Sequence, residues 1–258
     1  MADLPTRMKA MAASAFSIDA IGPIELDVPQ PKRGEILVKV AAASLNYRDL
    51  AIVAQNYIPG LPLPLVPASD CCGTVVALGE GVTQWKVGDR VTPVYTQGWY
   101  DGKPTPQQRF RQTLGMPLTG VLQQYITVPA EEAVAPPKSL SDVEASTLPI
   151  AALTAWSALQ EGGIKPGDTV LLQGTGGVSL FALQFAKAAG ATVIITSSSD
   201  DKLARAKALG ADRTINYRSN PDWETKSTAD RDSRESSLQL LSQTPQDFLH
   251  SENGPQAS

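Results

Sequence analysis

Histidine is almost missing from this 258-residue chain; its one copy, His250, lies close to the C-terminal end. The body therefore has no imidazole for a Ser-His-Asp triad, a His-ligated zinc or a His general base. Cysteine is nearly as scarce. Cys71 and Cys72 are neighbours in sequence, and adjacent strand residues point to opposite faces, so they are poor partners for one disulfide or one metal. With no disulfide framework, a reducing compartment is expected. There is no basic excess either: a net charge of -4 offers no electrostatic footprint for nucleic acid or an anionic membrane. No apolar run approaches a membrane span, and "MADLPTRMKAMAAS" lacks a signal-type apolar core. These absences predict a cytoplasmic protein that acts on a small molecule, with no nucleic-acid or membrane partner. What is present, 42% hydrophobic against 19% charged residues, is enough to bury a core in one large or two smaller domains.

The first half reads as short strands broken by Gly and Pro. "GEILVKVAAASL", "DCCGTVVALGEGV", "WKVGDRVTPV" and "VLQQYITVPAEEAV" each carry extended stretches with turn residues between them. That spacing predicts a compact β domain, a barrel, over residues 8–135. Residues 97–120 read as a long polar loop, and loops of that length are often functional. The pattern changes near Ser141, where Ser141 and Glu144 form a capping-box signature ahead of a helix. Two buried strands, "TVLLQ" and "ATVIITS", then alternate with helices closed by Gly190 and Gly210, and "RTINY" is a third strand. Continuous apolar strands alternating with helices predict a parallel sheet covered on both faces, over residues 136–226. Residues 227–258, rich in Ser, Gln and acid, read as a disordered tail.

Between the first of these strands and its helix stands Gly174-Thr175-Gly176-Gly177-Val178-Ser179. Such a loop lets backbone amides approach a pyrophosphate, and the helix N-terminus behind it adds free N–H groups and partial positive charge. Strand before and helix after are the context this motif requires. The third glycine of G-x-G-x-x-G is Ser179, small enough for a slight adjustment of helix–strand packing. An NAD site carries an acid at the end of the second strand to bind the ribose hydroxyls. Here that place is taken by Thr196-Ser197-Ser198, with Lys202 one helical turn on. Hydroxyls do not repel a 2′-phosphate and Lys202 can pair with it, which predicts NADPH over NADH. The same "SSSD" also reads as a helix N-cap with Lys202 on the solvated face.

From its first strand to about Lys226 the chain resembles the medium-chain dehydrogenase/reductase superfamily. The blocks that carry the resemblance are "MKAMAASAFSIDAIGPIELDVPQPKRGEILVKVAAASLNYRDL", "VPASDCCGTVVALGEGVTQWKVGDRV", "TLPIAALTAWSAL" and the glycine loop. The resemblance implies an α/β architecture: a GroES-like β-barrel domain followed by a Rossmann domain, a doubly wound parallel sheet, with the active site in the cleft between them. Where the zinc branch of that family has a cysteine ligand, this chain has Asn46; where it has Gly-His-Glu, this chain has Ala68-Ser69-Asp70. The sequence is similar instead to the zinc-free branch of quinone oxidoreductases and enoyl reductases. That implies hydride donation to an acceptor that is already activated, a quinone or an α,β-unsaturated carbonyl, without a metal. Asn46 and Tyr47 then become the catalytic candidates, although both can equally be ordinary turn residues. Thr154 matches a position near the nicotinamide, and Tyr217 one near the adenine. Asp49 reads as a helix N-terminal acid, and full-length members of the family suggest a homo-oligomer.

Only the first half of a dinucleotide domain can be counted. After "RSNPDWETK" the family-like text stops, so the Rossmann domain is partial and the chain reads as truncated. Strand "TVLLQ" should then lie at an open, apolar edge. Two functional expectations result. One is an NADPH-dependent, zinc-independent oxidoreductase impaired by truncation. The other is a non-catalytic product that binds the full-length enzyme or is inactive.

Overall fold

A computed structural model describes residues 4–54, 60–223 and 237–240. The chain divides into two compact units, residues 1–150 and 151–258.

The first unit is antiparallel. Strand β1 (Arg7–Ala13) forms a hairpin with β2 (Ile21–Asp27). A second, curled sheet has the order β6-β3-β4-β5-β7, from β3 (Glu35–Ser44), β4 (Asp70–Leu78), β5 (Arg90–Pro93), β6 (Tyr125–Pro129) and β7 (Ala133–Val134). Bridges from Ala10 to Gln123 and from Ala13 to Leu65 tie the hairpin to two later stretches of the same unit. Alternation along β3 explains the curl: Ile36 and Val38 pack into one core with Val75, Val91 and Val128, while Leu37 between them packs on the other face with Met8 and Val28. Register shifts in the β3–β4 pairing, between Leu37 and Val38 and between Val40 and Ala42, bend the strand further. This is the GroES-like half-barrel that the sequence predicts. Two short helices interrupt it. Helix α1 (Tyr47–Val53) succeeds β3, and α2 (Pro106–Arg111), capped by Thr105, lies within the stretch read as a polar loop.

Segment 113–120 is pressed onto Val66–Ser69. A Cβ on Gly120 would lie 2.1 Å from the Pro67 carbonyl oxygen, so only glycine fits there. Cys71 and Cys72 are free thiols on opposite faces of β4. Cys71 sits in the core, and Cys72 donates to Asp142 at 3.5 Å. Helix α3 (Asp142–Ala145) starts at the predicted Ser141 capping box. The long helix expected after it is broken: one turn of α3, a π-helical turn at Leu148–Ala152, and then α4 (Leu153–Glu161). Pro149 cannot donate the bond that a continuous α-helix would require of it.

The second unit holds a parallel sheet of order β10-β9-β8-β11, with β8 (Thr169–Leu172), β9 (Thr192–Ser197), β10 (Arg213–Asn216) and β11 (Ser237–Leu240). Helices α5 (Gly177–Ala188) and α6 (Asp200–Ala208) cover it. Val170, Leu172, Val193 and Ile195 meet Leu183 and Ala186 of α5 and Leu203 and Ala206 of α6 in one core. Gly190 and Gly210, at φ 81° and 105°, close the helices as their spacing predicts.

Strand β11 departs from the sequence reading. Ser237–Leu240 pairs in parallel with Thr169–Leu172, so β8 is not an open edge there. With β8 counted as strand 1, β11 occupies the place of strand 4 in the doubly wound order 3-2-1-4-5-6. The unpaired backbone groups of a central strand attract any extended segment that can supply a ladder. "SLQL" has the period-two alternation of a strand within otherwise polar text. The rest of the expected disordered tail lies outside the described residues.

Candidate functional site

Each unit carries one group of candidate residues. In the first, β3 ends at Ser44 and the chain turns into α1 through Leu45 and Asn46. Asn46 is the N-cap: its backbone N–H donates to Asp49 Oδ2 at 2.7 Å, the return bond of a capping box. Tyr47 opens the helix and is 61% exposed, so its hydroxyl-bearing ring does not serve the core. The residues that read as turn and cap are thus a turn and a cap, and they also present a polar group outward.

Beneath Asn46 lies a buried carboxylate. Asp70, at the start of β4, has no solvent exposure. Its Oδ1 accepts from Ser69 Oγ at 3.0 Å and its Oδ2 from the backbone N–H of Ile150 at 3.0 Å. The Asn46 amide lies against it, close enough to favour its charged form, yet Nδ2 is buried without a well-formed bond. Burial dominates all the same and pushes Asp70 up to about 6, with the charge of Asp49 adding to the rise. Asp49, only 6% exposed, is also raised by burial, against the bond from Asn46 and the charge of Arg48, and its Oδ1 has no partner. The backbone entering this cluster is strained: Ala68 has φ 67°, a left-handed conformation that costs a non-glycine residue roughly 1–2 kcal/mol.

Arg48 has a structural task that its sequence did not reveal. Its guanidinium donates to Thr113 Oγ1 (3.1 Å), Leu114 O (3.1 Å) and Met116 O (2.7 Å) and lies over the Tyr95 ring at 5.1 Å. It staples α1 to the 113–116 segment. Asp70 could have been found from the sequence, because an acid flanked by small and apolar residues in "ASDCCG" opens a strand destined for the interior. Nothing in the text near Arg48 points to partners more than sixty residues away.

In the second unit the glycine loop joins β8 to α5 as predicted. Gly174 has φ 79°. Gly176 is the N-cap of α5 and has no side chain to satisfy the first-turn N–H groups, and space for a Cβ on it is open. The α5 terminus therefore offers free donors and positive dipole to an anion. Gly177 is tighter, since a Cβ there would meet the Ala151 methyl at 3.4 Å. Ser179, in the place of the third glycine, is buried and donates to the Gln173 carbonyl at 3.2 Å. Its hydroxyl is absorbed at the end of β8.

The hydroxyls ending β9 brace this loop. Gly174 N–H donates to Thr196 Oγ1 at 3.2 Å, and Thr175 Oγ1 and Ser197 Oγ are 3.1 Å apart. Thr196 and Ser197 are buried, whereas Ser198 is half-buried and Lys202 exposed. Ser199 caps α6 by accepting from Lys202 N–H at 3.4 Å, so part of the "SSSD" text is a cap. Tyr217 comes directly after β10, 41% exposed, with its N–H on the Ser197 carbonyl at 3.1 Å. Val178 lies half-buried in the first turn of α5, and Thr154 half-buried in that of α4. The structure thus brings Gly174, Thr175, Gly176, Gly177, Val178, Ser197, Ser198 and Tyr217 to the strand ends of one sheet. That is where doubly wound folds hold dinucleotides. These residues fit a dinucleotide: open glycines, a helix N-terminus without a side-chain cap, and hydroxyls in place of an acid.

Comparison with known proteins agrees with both units. The alcohol dehydrogenase GroES-like domain family matches residues 32–138, and the zinc-binding dehydrogenase family matches residues 177–232. A zinc-type alcohol dehydrogenase-like protein of Schizosaccharomyces pombe is 49% identical over 209 residues, 80% of this chain and 60% of that protein. Among solved structures, an alcohol dehydrogenase assignment from Sinorhizobium meliloti 1021 superposes with a TM-score of 0.82 at 44% identity, covering 88% of this chain and 67% of that one. A quinone oxidoreductase from Coxiella burnetii gives 0.70 at 29% identity, covering 85% and 65%. A GroES-like half-barrel and a dinucleotide-type parallel sheet together define a class of dehydrogenases. The chain belongs to the medium-chain dehydrogenase/reductase superfamily. It spans about 60% of the length of the curated relatives it matches.

The family's zinc does not fit the donor set at Asn46, Ser69 and Asp70. An amide, a hydroxyl and one carboxylate are not the Cys/His-rich set that holds zinc. Burial raises both thiols, Cys72 to about 11, so neither is a ready thiolate. No group of three His, Cys, Asp or Glu able to hold a metal occurs among the described residues. No described helix is long and apolar enough to cross a membrane.

Proposed function

We propose that this chain is the nucleotide-binding and substrate-side portion of an NADPH-preferring, metal-independent reductase. In this reading hydride goes to an activated small-molecule acceptor, a quinone or an α,β-unsaturated carbonyl. The observation that carries it is the pairing of an uncapped α5 N-terminus at Gly176 with a β9 end that has hydroxyls and no acid. The N–H groups of Gly177 and Val178 would hold a pyrophosphate. Gly174 N–H is already used by Thr196, so Gly174 contributes its turn and not its donor. Ser197 holds Thr175 in place, while Ser198 and the exposed Lys202 face a 2′-phosphate. Tyr217 would line the adenine side of the cofactor and Thr154 the nicotinamide side. The cofactor, when bound, supplies the hydride. Tyr47 donates a hydrogen bond to the oxyanion that develops on the acceptor, and Asn46 orients the reactants. An acceptor activated by its own conjugation needs no Lewis acid, which suits the Asn46-Ser69-Asp70 donor set.

Thermal unfolding with NADPH, with NADH and without either tests this reading. Specific binding at a hundred times the dissociation constant stabilises by roughly 2.7 kcal/mol. A shift larger with NADPH supports it; no shift with either overturns it.

A further inference from the structure

We propose that Asp70 is a positioning residue for Asn46: as a carboxylate it holds the NH2 edge of the Asn46 side-chain amide, and as a carboxylic acid it releases that edge. The role of Asn46 beside the reactants rests on the proposed reductase function; the coupling between the two side chains does not.

Asp70 is fully enclosed. Two of its bonds are fixed, from Ser69 Oγ and from Ile150 N–H. Both donate, and both therefore favour the carboxylate. A further neighbour is the Asn46 side chain, whose Nδ2 is a buried donor with no well-formed bond among the described residues. A buried donor left unpaired costs roughly as much as a lost hydrogen bond, so it turns toward the carboxylate while Asp70 is ionised. Protonation reverses this: the new O–H must donate, and it competes with the amide NH2 for the same space. The acceptor at hand is the Asn46 amide oxygen after a flip. That flip sets the NH2 edge free.

The other groups around Asp70 set the direction of its titration. From α1 come Asp49, whose charge opposes ionisation of Asp70, and Arg48, whose charge acts on Asp49. From β4 and the residue before it come the neutral Cys71 thiol and Ser69. From the segment after α3 comes only the Ile150 N–H. Among the described residues no cation is a partner that shifts Asp70, and burial places its titration at about 6. The exchange of partners therefore falls within the working range of a cell.

The test needs neither cofactor nor turnover. In 15N-labelled protein, the Asn46 side-chain NH2 resonances, assigned by their loss in Asn46→Ser, and the Ile150 N–H are monitored from pH 4.5 to 8. Both should move together with one midpoint near pH 6. In Asp70→Asn both should stay flat. Ser69→Ala removes a donor to the carboxylate and should move the midpoint upward. Flat resonances in the wild type, a midpoint that survives in Asp70→Asn, or a Ser69→Ala midpoint that does not rise would each overturn the proposal. The Ser69 arm keeps the test decisive if Asp70→Asn does not fold. A titration seen in protein that binds no NADPH would remove the reductase reading alone; NADPH binding without the titration would remove this inference alone.

Discussion

Asp70→Asn should make the protein more stable at pH 8 and leave it unchanged near pH 4. Burial holds Asp70 at about 6 in the fold against an ordinary 3.8. A raised carboxyl pKa means that the folded state binds more protons than the unfolded state between these values, so stability grows as pH falls through 6 and levels off below about 4. Above 6 the fold carries a buried charge at full cost. At 1.36 kcal/mol per pKa unit that cost is about 3 kcal/mol. Asparagine keeps a carbonyl for the Ile150 N–H and brings no charge, so it should recover most of that amount at pH 8. For a unit of this size the gain corresponds to a melting temperature higher by roughly 6–12 °C. Native-state amide exchange at the β3 and β4 amides is the appropriate assay, because it reads the first unit alone. Measured at pH 4.5, 6 and 8, the difference between variant and wild type should open steadily upward. A variant less stable at pH 8, or a difference independent of pH, would mean that the bonds from Ser69 and Ile150 outweigh the burial of charge.

Other substitutions address separate parts of the molecule. Arg48→Ala removes three hydrogen bonds to the 113–116 segment and should cost about 3 kcal/mol, read in urea; Arg48→Lys, which cannot fork, should restore only part of it. Lys202→Ala should weaken NADPH and leave NADH nearly unchanged in a titration of each, and equal losses would remove the 2′-phosphate role. Tyr47→Phe in a full-length relative context should lower kcat more than it raises KM; an unchanged kcat would leave the exposed tyrosine with no part in the reaction. Deleting residues 227–258 removes β11, and the β8 amides that face it should then exchange faster, whereas equal protection would show that β8 does not need that partner.

Much of the architecture was legible because it depends on local pattern. Alternation along "EILVKV" and continuous apolar text in "ATVIITS" set strand type, and Gly190 and Gly210 stop helices for reasons internal to one residue. The glycine loop was legible for the same reason, its turn being set by residues without side chains. The expected single helix after Ser141 failed because Pro149 interrupts it, a local signal masked by the helix-type spacing on either side. The strand at Ser237–Leu240 was missed because its partner edge is a property of the assembled sheet.

Composition and spacing alone showed a nearly histidine-free sequence, located a glycine loop between a strand and a helix, and put hydroxyls where an acid would select NAD. Those are statements about which atoms a stretch of chain contains. Only the tertiary structure decided that Asp70 is buried with no cation among its described partners, that Arg48 grips carbonyls more than sixty residues away, and that Thr196 and Ser197 brace the loop. A pKa and a hydrogen bond depend on what surrounds a group, and those surroundings come from parts of the chain that only folding brings together.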